Sequence, residues 1–277
     1  MPSPGPCSVE AFVPRSAAGM PALVERLVLL ANAAPRALSL SGPTSTTLQL
    51  AQKAKEAMGS STAIQVQCET STSKEALEGF LTKAVAAGVT EVLLLPASAG
   101  AAGSGFASVL EMVSFVVERF GSQLSVVVSG FLRGTKGENG HYSKDIAACA
   151  EQVKAGASRV VTTPVWDVNH LIQFQMDLRS AGARSVEINP ALLPLHALDD
   201  MADFLRLCSQ LEWTPPKGLA ADLDKLSAGA AAWTALGARY FSTLQSELLE
   251  CCKGCVTHVI TLNHVAALDA MRSVGYT

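Results

Sequence analysis

The chain has 277 residues, a formal net charge of −3 at pH 7 and a mean hydropathy of +0.28. Only 16% of the residues are charged, where roughly 25% is usual. We therefore expect a surface with few charges or one that is partly covered by another protein. The acidic balance, without a basic stripe, argues against nucleic acid as the main partner. No apolar run reaches the roughly 18 residues of a membrane span, so we expect no transmembrane segment.

The seven cysteines are scattered and odd in number, so a disulfide framework is not expected. This usage favours a reducing compartment, either the mitochondrial matrix or the cytoplasm. We expect no signal peptide, because Pro2, Pro4 and Pro6 interrupt the N-terminus and no apolar segment follows them.

Short apolar runs alternate with amphipathic stretches along the chain. Runs rich in Val, Leu and Ile are typical of parallel strands buried on both faces. Eight strands are predicted: Ser8–Phe12, Ala37–Ser41, Ala63–Cys68, Glu91–Leu95, Ser125–Val128, Arg159–Thr163, Val186–Ile188 and Val256–Ile260.

Between these strands the apolar residues recur at helical spacing. Ser73 and Asp167 are predicted to cap the helices that follow them, and glycines stand where several helices should end. The predicted helices are Pro21–Ala33, Thr47–Met58, Ser73–Ala87, Phe106–Phe120, Ser143–Ala155, Val168–Ala181, Leu198–Leu207, Ser227–Cys252 and His264–Ser273.

Eight strand–helix repeats without a break in composition predict one α/β domain over residues 1–277. The predicted fold is a closed (β/α)8 TIM barrel with an extra helical insertion before the last strand. A doubly wound open sheet is the alternative. It is less favoured, because no glycine-rich fingerprint follows the first strand.

Four segments carry a more specific pattern. They are Ser8–Phe12 (SVEAF), Val153–Ala157 (VKAGA) with the strand after it, Asn189–Leu195 (NPALLPL) and Thr261–Asn263 (TLN). In this order they resemble the methylenetetrahydrofolate reductase family over nearly the whole chain. The resemblance implies a barrel flavoenzyme that passes a hydride from NAD(P)H through FAD to a folate. It also implies that Glu10 is the acid that protonates the folate.

Several positions at which that family holds its flavin or folate carry other residues here. These degraded positions are Ser41, Gln65, Ser98 and Thr163. A flavin needs hydrogen bonds and charges around its ring and cations or aligned N–H groups at its pyrophosphate. We therefore expect no cofactor, with FAD expected only if the protein is an active reductase, and we interpret Glu10 as a retained but vestigial acid.

The leading hypothesis is a non-catalytic, reductase-like pseudoenzyme that acts as an accessory subunit of a larger protein complex, with the mitochondrion as one setting. Its partners are then other protein subunits, with a residual small-molecule ligand at the barrel mouth. Two alternatives stay open, because fold and function separate easily. One is an active FAD-dependent oxidoreductase that uses NAD(P)H, and the other is a folate- or nucleotide-binding protein without chemistry.

Two further features have a plain structural interpretation. Cys251–Cys255 (CCKGC) contains a Cys-x-x-Cys motif, but a zinc site needs a second pair of ligands. No second pair stands at a typical ligand spacing among Cys7, Cys68, His258 and His264, so no metal is expected. The favoured interpretation is a helix end whose cysteines behave as small apolar residues.

The loop Arg133–Tyr142 is interpreted as mobile and solvated, with closure over an anionic ligand as the alternative.

Overall fold

The computed structural model describes residues 7–13, 24–25, 35–59, 61–97, 105–133, 141–195, 201–210, 217–224, 230–252 and 255–261. The strands are β1 (Cys7–Ala11), β2 (Ala37–Leu40), β3 (Ala63–Glu69), β4 (Glu91–Leu95), β5 (Ser125–Gly130), β6 (Arg159–Pro164), β7 (Glu187–Leu192) and β8 (Thr257–Ile260). The helices are α1 (Ser45–Met58), α2 (Lys74–Ala86), α3 (Val109–Phe120), α4 (Tyr142–Lys154), α5 (Val168–Ser180), α6 (Met201–Gln210), α7 (Lys217–Asp224) and α8 (Ala230–Cys251).

The eight parallel strands close into a barrel in sequence order, with β1 hydrogen-bonded to both β2 and β8. Helices follow the strands and pack around the outside. Of the three helices between β7 and β8, α8 packs on the main core and against α5, whereas α6 and α7 belong to a separate cluster and form the insertion. The predicted TIM barrel with an insertion before the last strand is therefore confirmed. Within the described part of the chain, no helix is long and apolar enough to cross a membrane.

Most element bounds agree with the prediction to within two residues, and two of the exceptions have local causes. The predicted helices Leu198–Leu207 and Ser227–Cys252 are observed as Met201–Gln210 and Ala230–Cys251, and the residues before each lie outside the described part of the chain. Strand β7 continues past Pro190 to Leu192, because Thr162 accepts a hydrogen bond from the backbone N–H of Ala191 at 3.1 Å. Helix α3 begins at Val109 and not at Phe106, since Ser108 caps it by accepting from the Glu111 N–H.

Three differences concern helices. The eight-residue helix α7 was not predicted, because it is too short for a clear helical period. Of the predicted helix Pro21–Ala33, only Val24 and Glu25 are described, and both are helical. The predicted helix His264–Ser273 lies outside the described residues. The predicted caps Ser73 and Asp167 are confirmed, each accepting from a backbone N–H of its helix.

Side chains alternate between the two faces of each strand, and the faces have different chemistry. The outward set, which includes Val9, Leu38 and Val66, packs with the helices in one large apolar core. In the middle of β4 to β7, the inward residues Leu93, Val127, Val161 and Ala191 form a separate apolar cluster, although Glu91, Arg159 and Asn189 on the same strands are buried and polar. On β1, β2, β3 and β8 the inward residues Glu10, Ser39, Gln67 and His258 are polar, so at this level of the interior an apolar side faces a hydrogen-bonding side.

A buried ion pair lies at the N-terminal ends of the strands. Arg159, the first residue of β6, donates to both carboxylate oxygens of Glu91, the first residue of β4, at 2.9 Å each. The two side chains are 10% and 8% exposed. Gln65 also donates to Glu91, at 3.1 Å. This cluster ties β3, β4 and β6 together inside the barrel, away from the strand C-termini.

Gly130 ends β5 where α5 packs closely against the barrel. A Cβ atom at this position would lie 2.7 Å from both Phe174 Cζ and Val160 Cγ1. Because both neighbours are fully packed, we expect Gly130→Ala to lower the free energy of unfolding by about 1–3 kcal/mol in urea titrations. Gly79→Ala is the matched control, since Gly79 is exposed in α2 with nothing within 4 Å, and we expect it to stabilise the protein. Equal effects of the two substitutions would contradict this account.

Candidate functional site

A cavity of about 330 Å³ opens at the C-terminal ends of the strands. Its polar side is built by Glu10 of β1, Gln67 of β3 and His258 of β8, and its apolar side by Leu93 and Val161. Residues that follow the strands, including Pro96, Ala97 and Phe131, complete the rim. The cavity therefore lies at the end of the barrel where TIM-barrel enzymes have their active sites.

Glu10 is the centre of a hydrogen-bonded network in this cavity. Gln67 Nε2 donates to Glu10 Oε1 at 2.9 Å and lies 3.2 Å from Ser39 Oγ. The Glu10 backbone carbonyl accepts from Thr261 Oγ1 at 2.6 Å, which joins β1 to the end of β8. With its side chain 12% exposed, Glu10 is held in place and still reaches the cavity.

The second oxygen of Glu10 lies 3.4 Å from Nε2 of His258. The other ring nitrogen of His258, Nδ1, lies 2.9 Å from the hydroxyl of Ser8. Ser8 and His258 are almost completely buried, so the three side chains form a row that leads from the barrel interior to the cavity. Such a row can orient the carboxyl group and exchange a proton with it.

A second cavity of about 770 Å³ adjoins the first above β1, β2 and β3. Thr44 and Thr46 at the start of α1 line it, and Thr44 caps that helix by accepting from the Thr47 N–H at 3.1 Å. Gln67, Glu69 and Leu95 line both cavities. The two spaces therefore meet at the end of β3 and β4.

The electrostatic character of both cavities is acidic. Glu10 lines the smaller cavity and Glu69 lines both, and no Lys or Arg is found among the described residues of either lining. Carboxylates accept hydrogen bonds from N–H groups and disfavour a second anion nearby. The site thus fits a neutral ligand that donates hydrogen bonds better than it fits a phosphate.

The structure separates the residues predicted from the sequence. Glu10 and Thr163 line the smaller cavity, where the Thr163 hydroxyl accepts from Leu132 N–H at 3.2 Å. Ser41 lines the larger cavity and accepts from Val13 N–H at 2.9 Å. Gln65 is absent from both linings, because it bonds to Glu91 at the other end of the barrel. Ser98 lies outside the described residues.

Sequence reasoning missed the partners of Glu10. Gln67, Ser8 and Ser39 were not singled out, and His258 was considered only as a metal ligand. The available signal was the alternation within strands, since Ser8 and Glu10 are two residues apart and so share the inward face.

Within the described residues, no three His, Cys, Asp or Glu side chains come together as a metal site. Most of the loop Arg133–Tyr142, residues 134–140, lies outside those residues.

The family model for methylenetetrahydrofolate reductase matches residues 5–273. The chain belongs to the methylenetetrahydrofolate reductase family. The resemblance that rested on four short segments is thereby confirmed over nearly the whole chain.

Other proteins share the sequence or the fold. A curated rice protein (Oryza sativa subsp. japonica) described as "Probable methylenetetrahydrofolate reductase (NADH)" is 24% identical over 290 residues, which cover 97% of this chain and 48% of the rice protein. The chain thus spans about half the length of that relative. A protein from Clostridium thermocellum whose structure binds two copies of 5-methyl-5,6,7,8-tetrahydrofolic acid has the same fold, with a TM-score of 0.69, 11% identity and coverage of 99% and 95% of the two chains.

A more distant fold neighbour is a lyase/mutase-type protein from Burkholderia cenocepacia. It aligns with a TM-score of 0.51 at 11% identity and covers 98% of this chain and 81% of that chain. At this level of identity the likeness concerns the barrel alone.

The reductase family usually carries FAD, so the site must be compared with the needs of that cofactor. The FAD pyrophosphate carries negative charge and needs cations or aligned backbone N–H groups. The described cavity residues offer no cation, and Glu69 lines both cavities. Backbone N–H groups at the start of α1 face only the larger cavity, and the Thr47 N–H among them is already taken by Thr44. These residues do not fit the pyrophosphate, although the apolar wall of Leu93, Leu95 and Val161 would accept a flat ring.

Proposed function

We propose that this chain is a folate-binding member of the methylenetetrahydrofolate reductase family that does not perform flavin-dependent hydride transfer. The observation that supports the proposal is the network in which Gln67 and His258 each contact one carboxylate oxygen of Glu10. This network forms one side of the smaller cavity, whose described lining contains no Lys or Arg. By resemblance, Glu10 is the family's folate acid, and Gln67 and His258 hold it in place here. The cations that would hold the phosphates of a dinucleotide have no counterpart among the described lining residues.

The chemistry of a reduced pterin matches this cavity. A pterin presents an amino group and ring N–H groups on one edge, and a carboxylate accepts two such hydrogen bonds side by side. Its flat ring can lie against Leu93, Leu95 and Val161 while one edge meets Glu10. The cavity volume of about 330 Å³ falls within the usual range for small-molecule sites.

The fold neighbour from Clostridium thermocellum gives independent support, since that protein binds two copies of a methylated tetrahydrofolate. In the present chain two adjoining cavities share Gln67, Glu69 and Leu95. We propose that the smaller cavity takes the pterin ring. The larger one then takes the uncharged p-aminobenzoyl part of the folate, and we propose that the glutamate carboxylates extend beyond Glu69 toward the start of α1.

In this proposal Glu10 acts as a binding group, with Gln67 and His258 as positioning residues. Gln67 fixes one carboxylate oxygen, and His258 lies against the other. Both contacts keep the carboxyl plane facing the cavity and leave the remaining lone pairs for the ligand.

An active NAD(P)H-dependent reductase is the second candidate, and the description of the rice relative favours it. The two candidates differ in a simple property. An active reductase purifies as a yellow protein with a flavin absorbance band, or gains NAD(P)H oxidation when FAD is added. The folate-binding protein does neither.

We also propose that the protein is an accessory subunit of a larger assembly. Met201 and Leu205 lie one turn apart on α6 and are 36% and 45% exposed, which is unusual for large apolar side chains. Their shared face, together with the low content of charged residues, supports contact with another protein. The mitochondrial or cytosolic setting stays a prediction. If the protein purified from its native cells is a monomer without associated chains, the accessory role is wrong.

The binding proposal predicts that 5-methyltetrahydrofolate stabilises the protein by mass action. At a ligand concentration of 100 times Kd, the gain is about 2.7 kcal/mol, which appears as a higher Tm in differential scanning fluorimetry. FAD at the same concentration is expected to leave Tm unchanged, and isothermal calorimetry should give a Kd for the folate only. Tight FAD binding without folate binding would overturn the proposal.

A further inference from the structure

The most distinctive group outside the mouth is a pair of cysteines between α8 and β8. Cys252 follows the last residue of α8, and Cys255 precedes β8. The backbone N–H of Cys255 donates to the carbonyl of Cys252 at 3.1 Å. This bond holds the two cysteines near each other, and each thiol shifts the pKa of the other.

Helix α5 supplies the rest of the environment. Gln175 Nε2 lies 3.6 Å from Cys252 Sγ and donates to it. Arg179, one turn further along α5, places a positive charge near the same sulfur. These contacts matter because a helix C-terminus by itself disfavours an anion. The pKa of Cys252 is lowered to about 7, chiefly by Cys255 and to a smaller extent by Gln175 and Arg179.

Four of the other five cysteines are buried and less reactive, and the fifth, Cys251, is exposed. Burial raises the pKa of Cys7 to about 11, of Cys68 to about 12, of Cys149 to about 12 and of Cys208 to about 11. These four are buried, whereas Cys252 and Cys255 are half-buried. Because the thiolate is the reactive form, Cys252 is the preferred nucleophile among these cysteines.

We propose that Cys252 and Cys255 are a redox-active dithiol that closes reversibly to a disulfide at the start of β8. The oxidant is a small-molecule disulfide of the glutathione type. This inference is independent of the folate proposal. It gives the Cys-x-x-Cys motif a role that its interpretation as a plain helix end did not include.

The reaction proceeds in two exchanges, each of which conserves electrons. The Cys252 thiolate attacks one sulfur of glutathione disulfide, forms a mixed disulfide and expels one glutathione thiolate. Cys255 then loses its proton and attacks the Cys252 sulfur, which closes the protein disulfide and releases the second glutathione. The dithiol loses two electrons, and glutathione disulfide gains them as two glutathione molecules.

The position of the pair gives the disulfide a structural consequence. Cys255 is three residues before His258, the second residue of β8, whose ring lies against Glu10. Its neighbour Cys252 and burial raise the pKa of Cys255, and Glu187 at the start of β7 adds a smaller acidic contribution. Ring closure thus fixes the chain where it enters the last strand of the barrel.

The test uses the full-length protein and glutathione redox buffers. After native incubation with glutathione disulfide, followed by alkylation in acid and mass spectrometry, we expect the loss of two hydrogen atoms from the protein. Trypsin cleaves after Lys253, between the two cysteines, so the disulfide should link the peptide 240–253 to the peptide 254–272. Added glutathione should separate them again.

Cys251 provides the matched control, since it is exposed and adjacent to Cys252. We expect Cys251→Ser to keep the linked peptides and Cys252→Ser or Cys255→Ser to lose them. In the reduced protein, Cys255→Ala should slow alkylation of Cys252 at pH 7 by roughly tenfold, because the thiolate fraction falls when the Cys255 thiol is removed.

Three outcomes would overturn the proposal. One is a wild-type protein that forms no intramolecular disulfide in glutathione disulfide. Another is a disulfide link that disappears in Cys251→Ser, which would show that Cys251 and not Cys252 pairs with Cys255. The third is stoichiometric zinc held through Cys252 and Cys255, detected by native mass spectrometry and removed by a chelator. The wild-type measurement needs no variant, so a substitution that impairs folding leaves the test intact.

Discussion

Replacing Arg159 with methionine is expected to lower the free energy of unfolding by about 3–5 kcal/mol, because it leaves the Glu91 carboxylate buried without its partner. Arg159 supplies two of the hydrogen bonds to Glu91, both at 2.9 Å, and Gln65 supplies the third. At 8% exposure, Glu91 cannot recover the lost contacts from water. Equilibrium unfolding in urea, followed by circular dichroism, measures the change.

Two variants separate the buried charge from other causes. Arg119→Met removes an exposed partner of Glu78, whose N–O distance is 3.7 Å, and it should cost less than about 1 kcal/mol. Combining Arg159→Met with Glu91→Leu removes both charges and should restore most of the stability lost in the single variant. If the double variant is less stable than Arg159→Met alone, the unpaired carboxylate is not the reason for the loss.

Replacing Glu10 with alanine is expected to weaken binding of 5-methyltetrahydrofolate by about 10- to 150-fold, which corresponds to about 1.5–3 kcal/mol for hydrogen bonds to a charged group. Glu10 is the carboxylate held by Gln67 and His258 at the base of the smaller cavity. Isothermal calorimetry gives the two dissociation constants. Glu10→Gln keeps the side-chain size and should show an intermediate loss, since one oxygen acceptor remains.

Glu118→Gln is the control for removing one negative charge, because Glu118 is exposed on α3 and far from the mouth by its place in the fold. Its binding should match the wild type. A Glu10→Ala protein that is folded and binds the folate as tightly as wild type would remove Glu10 from the site. Absence of binding by the wild-type protein would instead refute the folate proposal as a whole.

Strand positions were predictable because burial on both faces leaves a local signature. The runs around Val92, Val126 and Val160 are rich in branched side chains, and all three are strands. Helix α7 and the continuation of β7 past Pro190 were not predictable in this way. Helix α7 has only eight residues, too few for a clear helical period. In β7 the hydrogen bond from the Ala191 N–H to the Thr162 hydroxyl overrides the local preference against a strand at Pro190.

The position of a residue along the barrel axis was the property of the site that was hardest to predict from the sequence. Gln65 and Gln67 share one face of β3, so sequence alone does not say which of them reaches the mouth. Glu10 aligns with Ser39 and Ser39 with Gln65 in the strand register, yet it is Gln67 that contacts Glu10. Barrel strands are tilted and staggered, so side chains at equal height come from different register positions.

By itself, the sequence determined that the chain alternates strands and helices and that eight of the strands are buried, while the family resemblance singled out Glu10. The alternation and the burial depend on local period and composition, which any segment carries without its neighbours. Only the tertiary structure decided that Ser8 and His258, 250 residues apart, share a hydrogen bond and place Glu10 between an imidazole and an amide. Closure of the barrel between β1 and β8 is the physical reason, because it brings the two ends of the described chain side by side.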